Sequence, residues 1–426
     1  MSHAIDRVHG RRVWDSRGRP TVEVEVVLDS GAAGRAIAPA GASTGSGEAH
    51  ELRDQTAAHG GLDVTQAVAN VDGAIAAALR GLDSSDQRPI DETLIALDGT
   101  EDRHRLGANA IVATSMAVAH AAAAAAELPL WRYLAGSESV RLPLPEVQIF
   151  GGGAHAARRV DIQDFMVIPV GAASYVQALE WVAEVYWAAG ALMAEGGRLQ
   201  GVADEGGYWP AFDSNEEVLE ALVEAIERAG LRPGDEVAIS LDVAASEFRD
   251  GDGYHLASEG RRLDSNELVA LLLDWVDRYP IVSIEDPLGE DDEAGLTGFT
   301  EACGDRVQVV GDDYLVTSAG RVRTAAAAGA CNALLVKPNQ AGTLTEARAA
   351  LAAADAAGWG SIVSARSGET EDVTIVHLAV GWGAGQLKVG SFARSERLAK
   401  WNEGLRIAEQ LGDDGPLPDP GAFPWA

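Results

Sequence analysis

The chain has 426 residues, 33 of them basic and 65 acidic, for a net charge of −32. That balance argues against nucleic acid and anionic membranes as partners, since both need a cationic face, but leaves room for a small anionic substrate at a locally positive site. With 47% hydrophobic and 23% charged residues the composition is that of a globular protein, long enough for two or three domains and a large core without disulfide or metal staples.

Met1 to Gly10 carries His and Asp and no apolar core, so it does not read as a signal peptide. Thr21 to Leu28 reads TVEVEVVL, the period of a half-exposed strand, and Arg35 to Pro39 predicts a second short strand between glycine-bearing loops. From Val64 to Leu134 the pattern is helical and rich in alanine. Within it, the uncharged run Ala108 to Ala126 is too weakly apolar for a good membrane span and predicts a packed helix. Sheet first and helices second predicts an α+β domain over 1–135, with a polar, proline-bearing boundary from Gly136 to Pro145.

Residues 136–426 change rhythm. Apolar runs end at Asp242, at Glu285 and Asp286, at Asp312 and Asp313, at Lys337, at Arg366 and at Lys388, at intervals of 22 to 43 residues. Helical stretches lie between them, such as Glu216 to Ala229, Asn266 to Tyr279 and Thr343 to Ala357. Short buried strands alternating with helices predict βα units in a parallel sheet, and this spacing favours closure into an α/β barrel. Polar residues at the carboxyl ends of barrel strands then face one mouth, which is where such barrels place their active sites. The two cysteines, Cys303 and Cys331, have no metal-ligand spacing and point to a reducing, cytoplasmic setting.

Asp242, Glu285 and Asp312 would repel one another at one mouth unless a cation sat among them. Hard oxygen ligands without His or Cys suit Mg²⁺. Only Lys337, Lys388 and Lys400 are lysines; the other thirty basic residues are arginines. Arginine does not release its proton near neutral pH, whereas a desolvated lysine can, so the lysines are candidates for proton transfer. Lys337, near divalent cations and another lysine, has its charged form disfavoured and becomes a candidate base. Such a site suits removal of a proton α to a carboxylate. Arg366 and Ser367 offer a guanidinium and a hydroxyl for a phosphoryl group. The small-residue loop Gly41 to Gly45 could close over the mouth as a lid and offer Ser43 to a metal.

The segments DSRGRPTVEVEV, GASTGSGEAHELRD, LGANAI, DEGGYWP, LDVAASEF, SIEDP, GDDYLVT, NQAGTLTEA, RSGETEDVTI and ARSERLAKWN, in this order, make the chain similar to the enolase family over almost its whole length. The resemblance implies an N-terminal α+β lid domain followed by an enolase-like, modified TIM-type α/β barrel. It implies two Mg²⁺ ions, the second arriving with substrate, loss of water from a 2-phosphoglycerate-like acid, and a homodimer or larger homo-oligomer. By matching motif, Asp242, Glu285 and Asp312 resemble the ligands of the first magnesium and Ser43 a ligand of the second. Lys337 resembles the base at C2, and Glu205 the acid that helps the C3 hydroxyl leave. Lys388 resembles the partner of the substrate carboxylate, Arg366 and Ser367 phosphoryl contacts, His155 the mobile-loop histidine, and Gln163 the glutamine of the family's QEFM.

Several positions depart from the family pattern. Ser364-Ala365-Arg366-Ser367 stands where the family reads S-H-R-S, and Gln163-Asp164-Phe165-Met166 stands for QEFM, so Asp164 replaces a glutamate and is carried as a candidate catalytic residue beside Lys337 and Glu205. The loop of His155 carries Arg158 and Arg159, candidates for an additional substrate carboxylate. His to Ala and Glu to Asp both open volume at the mouth while base, metal ligands and leaving-group acid remain. The expectation is an elimination retained on a changed substrate, a 2-O-phosphoryl or 2-O-phosphonyl glycerate. Carboxyphosphonoenolpyruvate synthase, from phosphonate and phosphinate antibiotic pathways, is such an enolase-like branch. The alternatives are an ordinary phosphopyruvate hydratase and a non-catalytic scaffold that keeps the fold.

Overall fold

Valine at every second position builds the first sheet. The computed structural model describes residues 3–42, 44–136, 139–412 and 415–426. Its first three strands are β1 (Ile5–Trp14), β2 (Pro20–Leu28) and β3 (Ala33–Ile37), an antiparallel meander. Val22, Val24 and Val26 of β2 point into the core. The strand is less exposed than its alternation predicts. Glu23 is also buried, because Arg11 and Arg35 reach its two oxygens at 2.5 and 3.4 Å. β1 and its pairing with β2 were not anticipated; IDRVHGRRVW mixes charge and apolar residues without a clear period.

The alanine-rich helix Ala108–Ala125 lies across this sheet. Its small side chains let β3 approach so closely that a Cβ on Gly34 would stand 2.2 Å from the Ala121 backbone nitrogen. Among the described residues it alone is long and apolar enough to cross a membrane, and 89% of it is buried inside the protein.

The second part is a closed barrel. Its strands are β4 (Leu144–Gly151), β5 (Asp164–Ile168) and β6 (Ala238–Asp242), then β10 (Ile281–Glu285), β11 (Gln308–Gly311), β12 (Ala333–Val336), β13 (Gly360–Ser364) and β14 (Gln386–Ser391). A small meander of β7 (Arg249–Asp250), β8 (Gly253–Leu256) and β9 (Arg261–Leu263) sits between β6 and β10. Around the ring the order is β10-β11-β12-β13-β14-β4-β5-β6. The predicted all-parallel sheet needs one correction: β5 runs antiparallel to both β4 and β6. The connection from β4 to β5 carries only the Gly153–Ala156 helical turn and no crossover helix to return the chain to the start of a parallel neighbour, so β5 runs back alongside β4. Most of the outer helices start on Ser, Thr or Asp caps, though those at Thr374–Trp382 and Ser395–Leu411 do not; Asp264 and Glu267 form a complete capping box.

The strands end near the residues read from the sequence. Asp242 and Glu285 close β6 and β10 and stand in register. Asp312 and Lys337 follow β11 and β12 directly. Lys388 differs, since β14 continues past it to Ser391 and places it inside the barrel.

The third lysine is not at the mouth. Lys400 is buried on the last long helix and donates to the Thr370 and Glu396 carbonyls at 3.0 and 3.1 Å, with Glu369 Oε2 at 3.0 Å. Glu369 in turn accepts the Arg366 amide at 3.0 Å. This lysine is a strut beneath the loop that carries Arg366, not a proton-transfer group. Removing one partner of a buried pair strands the other's charge, so Lys400→Met is expected to cost about 3–5 kcal/mol. Glu369→Gln added to it keeps an acceptor and should recover part of that loss. Denaturant midpoints of the two variants check this; an unaltered midpoint for Lys400→Met would refute the strut.

Candidate active site

Strand ends and the loops beyond them bring His155, Gln163, Asp164, Glu205, Asp242, Lys337, Ala365, Arg366, Ser367 and Lys388 around one cavity at the barrel mouth. The walls come close enough to leave about 20 Å³, the size of a water site. β12 and β5 stand four places apart in the ring of eight, so Lys337 and the β5–β6 connection that bears Glu205 approach the cavity from different sides.

Two lysines divide the acids between them. Lys388 Nζ lies 2.8 Å from Asp242 Oδ2 and 2.6 Å from Glu285 Oε2, with Asp164 at 3.8 Å. Lys337 Nζ hydrogen-bonds Asp312, whose other oxygen accepts from Gln340 Nε2 at 2.8 Å. Gln163 donates to Asp242 at 3.1 Å. Asp242 and Glu285 therefore meet at an ammonium, and Asp312 turns toward its own.

Burial raises the Glu285 carboxyl well above its usual range, and the neighbouring Asp242 charge adds to that. Burial would raise Asp312 too, but the charge and hydrogen bond of Lys337 pull it below the ordinary value. Lys337 moves the other way from the sequence expectation. Burial lowers it, but the neighbouring carboxylates, Asp312 foremost and Glu285 with it, together outweigh burial, and the amine is held more firmly protonated than a free lysine.

His155 connects the mouth to its loop. Nδ1 lies 2.9 Å from Asp164 Oδ1, and Nε2 lies 3.0 Å from Ser367 Oγ and 3.6 Å from Glu205 Oε1. Burial would lower its pKa, but the charges of Asp164 and Glu205 raise it to about 9. Ala365 is buried in the cavity wall and its amide bonds the Lys388 carbonyl at 2.8 Å.

Arg158 and Arg159 do not join this group. Their side chains sit out on the rim, paired with Glu247 at 2.9 Å and Asp213 at 3.0 Å. Their carboxylate partners lie outside the cavity, with Asp213 well exposed, so both guanidiniums are held away from the mouth. Ser43 lies outside the described residues.

The donor set fits a hard cation. Glu285 Oε1 is buried with no hydrogen-bond partner, beside Asp242 and Asp312. A second acidic cluster, Asp286, Asp312 and Asp313, has ligand atoms within 4.8 Å of one another. Burial raises Asp286 and Asp313, the latter to about 8 with help from the charge of Asp312.

The structure also adds residues that strand-end reasoning missed. Glu48, from the loop of the first domain, grips Arg366 with contacts of 2.9 and 3.1 Å. Gln148 donates to Asp164 and accepts the Gly207 amide at 2.8 Å. Arg397, fully buried, donates to the Arg366 and Val389 carbonyls at 2.7 and 2.8 Å. Arg397 and Glu48 sit inside the quoted motifs ARSERLAKWN and GASTGSGE, so a signal was present but pointed to no role.

Comparison with known proteins agrees with this geometry. The description "Enolase, N-terminal domain" matches residues 5–134, and "Enolase, C-terminal TIM barrel domain" matches residues 139–418. "Enolase 2" of Pseudomonas syringae pv. syringae (strain B728a) is 48% identical over 414 residues, covering 97% of each chain. "Enolase 2" of Pseudomonas syringae pv. tomato (strain ATCC BAA-871 / DC3000) is likewise 48% identical, over 97% of each chain. With both domains matched along nearly its whole length, and a lysine-and-carboxylate mouth at the barrel's end, the chain belongs to the enolase family of hydro-lyases.

Proposed function

We propose that the chain removes water from a 2-O-phosphoryl or 2-O-phosphonyl glycerate to give an enolpyruvate ester, with the larger phosphonyl head group preferred. The observation that supports it is the single cavity where a lysine, a separate carboxylic acid and an arginine–serine pair meet beside Asp242, with Ala365 in the wall. Asp242, Glu285 and Asp312 would hold magnesium, with Ser43 toward a second ion. Magnesium bound there would supply positive charge beside the substrate carboxylate, which acidifies the C2 hydrogen and draws the Asp312 charge away from Lys337.

The residues divide the work. Lys337 takes the C2 proton once its pairing with Asp312 is relieved. Glu205 gives a proton to the departing C3 hydroxyl. Lys388 faces the substrate carboxylate, and Arg366 and Ser367 face the head group. His155, cationic at neutral pH, orients Ser367 and adds positive charge; Gln163 and Asp164 hold the floor. Alanine at 365 leaves room where the family carries an imidazole, which suits a head group bearing an additional carboxylate. With Arg158 and Arg159 paired on the rim, Arg366 is the better placed guanidinium. Assembly as a homo-oligomer and a cytoplasmic location are part of the same reading, by family.

The second reading, phosphopyruvate hydratase acting on 2-phosphoglycerate, is favoured by the names of the relatives, both "Enolase 2". Turnover of both substrates separates the two. The specialised reading expects kcat/KM to favour the phosphonyl substrate by about tenfold or more, a difference of about 1.4 kcal/mol in transition-state binding. Equal or better use of 2-phosphoglycerate would sink it. In that event Ala365→His should raise activity on 2-phosphoglycerate.

Two variants test the chemistry. Lys337→Met and Glu205→Gln should each lower kcat by about 10²–10⁴-fold, the usual range for a positioned acid or base. Only Lys337→Met should also stop exchange of the C2 hydrogen with deuterated water, followed by NMR. Exchange that persists without Lys337 would assign the base elsewhere.

Magnesium should also stabilise the fold, by about 2.7 kcal/mol at a hundredfold excess over its dissociation constant. Thermal melts with magnesium and with a chelator read this directly. Identical melts would speak for the scaffold alternative.

A further inference from the structure

The wall between the two domains at the mouth is one ion pair. Arg366 Nη1 and Nη2 donate to the two carboxylate oxygens of Glu48 at 2.9 and 3.1 Å, and both side chains are over nine-tenths buried. Arg366 belongs to the barrel and Glu48 to the loop of the first domain. On one side of the pair lies the reaction cavity; on the other lies a cavity of about 290 Å³ under that loop, which Glu48 and Arg366 both line.

The same carboxylate has two other duties. Glu48 Oε1 accepts the Gly45 amide at 3.0 Å, which fixes the loop on itself. It also accepts Gln340 Nε2 at 3.2 Å, and Gln340 Nε2 donates to Asp312 as well. The loop is tied down at both flanks: Ala40 and Gly368 exchange amide bonds of 2.9 and 2.8 Å, and the Ala49 amide bonds the Gln340 carbonyl at 2.9 Å. Behind Arg366, the backbone is already pinned by Arg397 and Glu369. What remains to be fixed is the direction of the guanidinium, where Glu48 supplies the charged partner and Asn339 Oδ1 accepts at 3.1 Å.

We propose that Glu48 is a positioning residue for the head-group pocket: by holding both arms of the Arg366 guanidinium, it sets in advance the fork that meets the substrate's phosphoryl or phosphonyl group. A long arginine whose fork is set in advance loses less freedom when an oxyanion arrives, so the brace improves binding of the head group and leaves the carboxylate end alone. This assignment rests on Arg366 facing the head group, as proposed above.

The test uses the full chain with magnesium and two probes. Inorganic phosphate reports on the head-group pocket, and glycerate, which lacks a head group, reports on the rest. In Glu48→Gln, which keeps the shape and loses the charge, phosphate binding by calorimetry should weaken by about 10- to 100-fold, the value of one charge-assisted contact. KM for the substrate should rise in parallel, kcat should change far less, and glycerate binding should stay as in the parent. If Glu48→Gln does not fold, Glu48→Asp takes its place, since one methylene less withdraws the carboxylate, and the same pattern is expected. Equal weakening of phosphate and glycerate would reduce Glu48 to a structural role and overturn the proposal, as would phosphate binding unaffected by the variant or absent from the parent chain. Failure of the parent to dehydrate any 2-O-phosphoryl or 2-O-phosphonyl glycerate would count against the proposed reaction alone, because phosphate binding still reads the brace.

Discussion

Carboxylates taken out of water cannot share a small volume unless positive charge stands among them. At this barrel mouth Asp164, Glu205, Asp242, Glu285, Asp312 and Asp313 are all buried, and the charges that balance them are Lys337, Lys388, Arg366 and Arg397, also buried. Every geometric feature of the site follows from how these are divided. Lys388 is drawn between Asp242 and Glu285; Lys337 is drawn to Asp312; His155 is kept protonated by Asp164 and Glu205. A net charge of −32 makes the problem worse across the whole surface, and the molecule answers it locally, with its three lysines and a few arginines committed to the interior.

The same constraint explains why the first domain is part of the site. Contacts across the domain junction are polar as well as apolar. Glu48 holds Arg366, Arg103 reaches Glu346 at 2.6 Å, and Asp372 accepts the Ile37 amide at 2.8 Å. Asp91 lies deeper, accepting from Ser115 of its own domain and from Thr345 of the barrel. Polar groups buried at such a junction need partners with defined geometry, so these contacts fix the relative placement of the loop and the mouth more tightly than an apolar patch would.

Much of this was readable from the residues, and the limits have physical causes. Strands whose apolar runs stop at a charge, such as VAISLD and IVSIED, announce both the strand and the functional end, because a buried strand must surface where it meets polar ligands. β5 was invisible as a reversed strand: direction is a property of the connection, and nothing in QDFMVI encodes it. The run GQLK predicts a strand end at Lys388, but its pairing with two acids inside the barrel is a long-range matter that no local pattern records. Composition alone groups Lys400 with the reactive lysines, and its burial against Glu369 separates it. Glu48 and Arg397 stand in legible motifs, yet their partners are hundreds of residues away, so only the folded chain shows what they hold.

The departures from the family pattern at Asp164 and Ala365 can be weighed by the same balance of charge. Asp164 accepts from Gln148 and lies against His155, while its second oxygen stays 3.8 Å from Lys388, beyond hydrogen-bond reach. A side chain one methylene longer would have the length to close that gap and compete for the ammonium. With aspartate there, Lys388 is committed to Asp242 and Glu285. Alanine at 365 acts on the opposite side of the balance, removing a group able to carry a proton from a wall that already holds Arg366. One change alters where existing positive charge points, and the other takes a titratable group away. Both act on the charge of the mouth as well as on its volume.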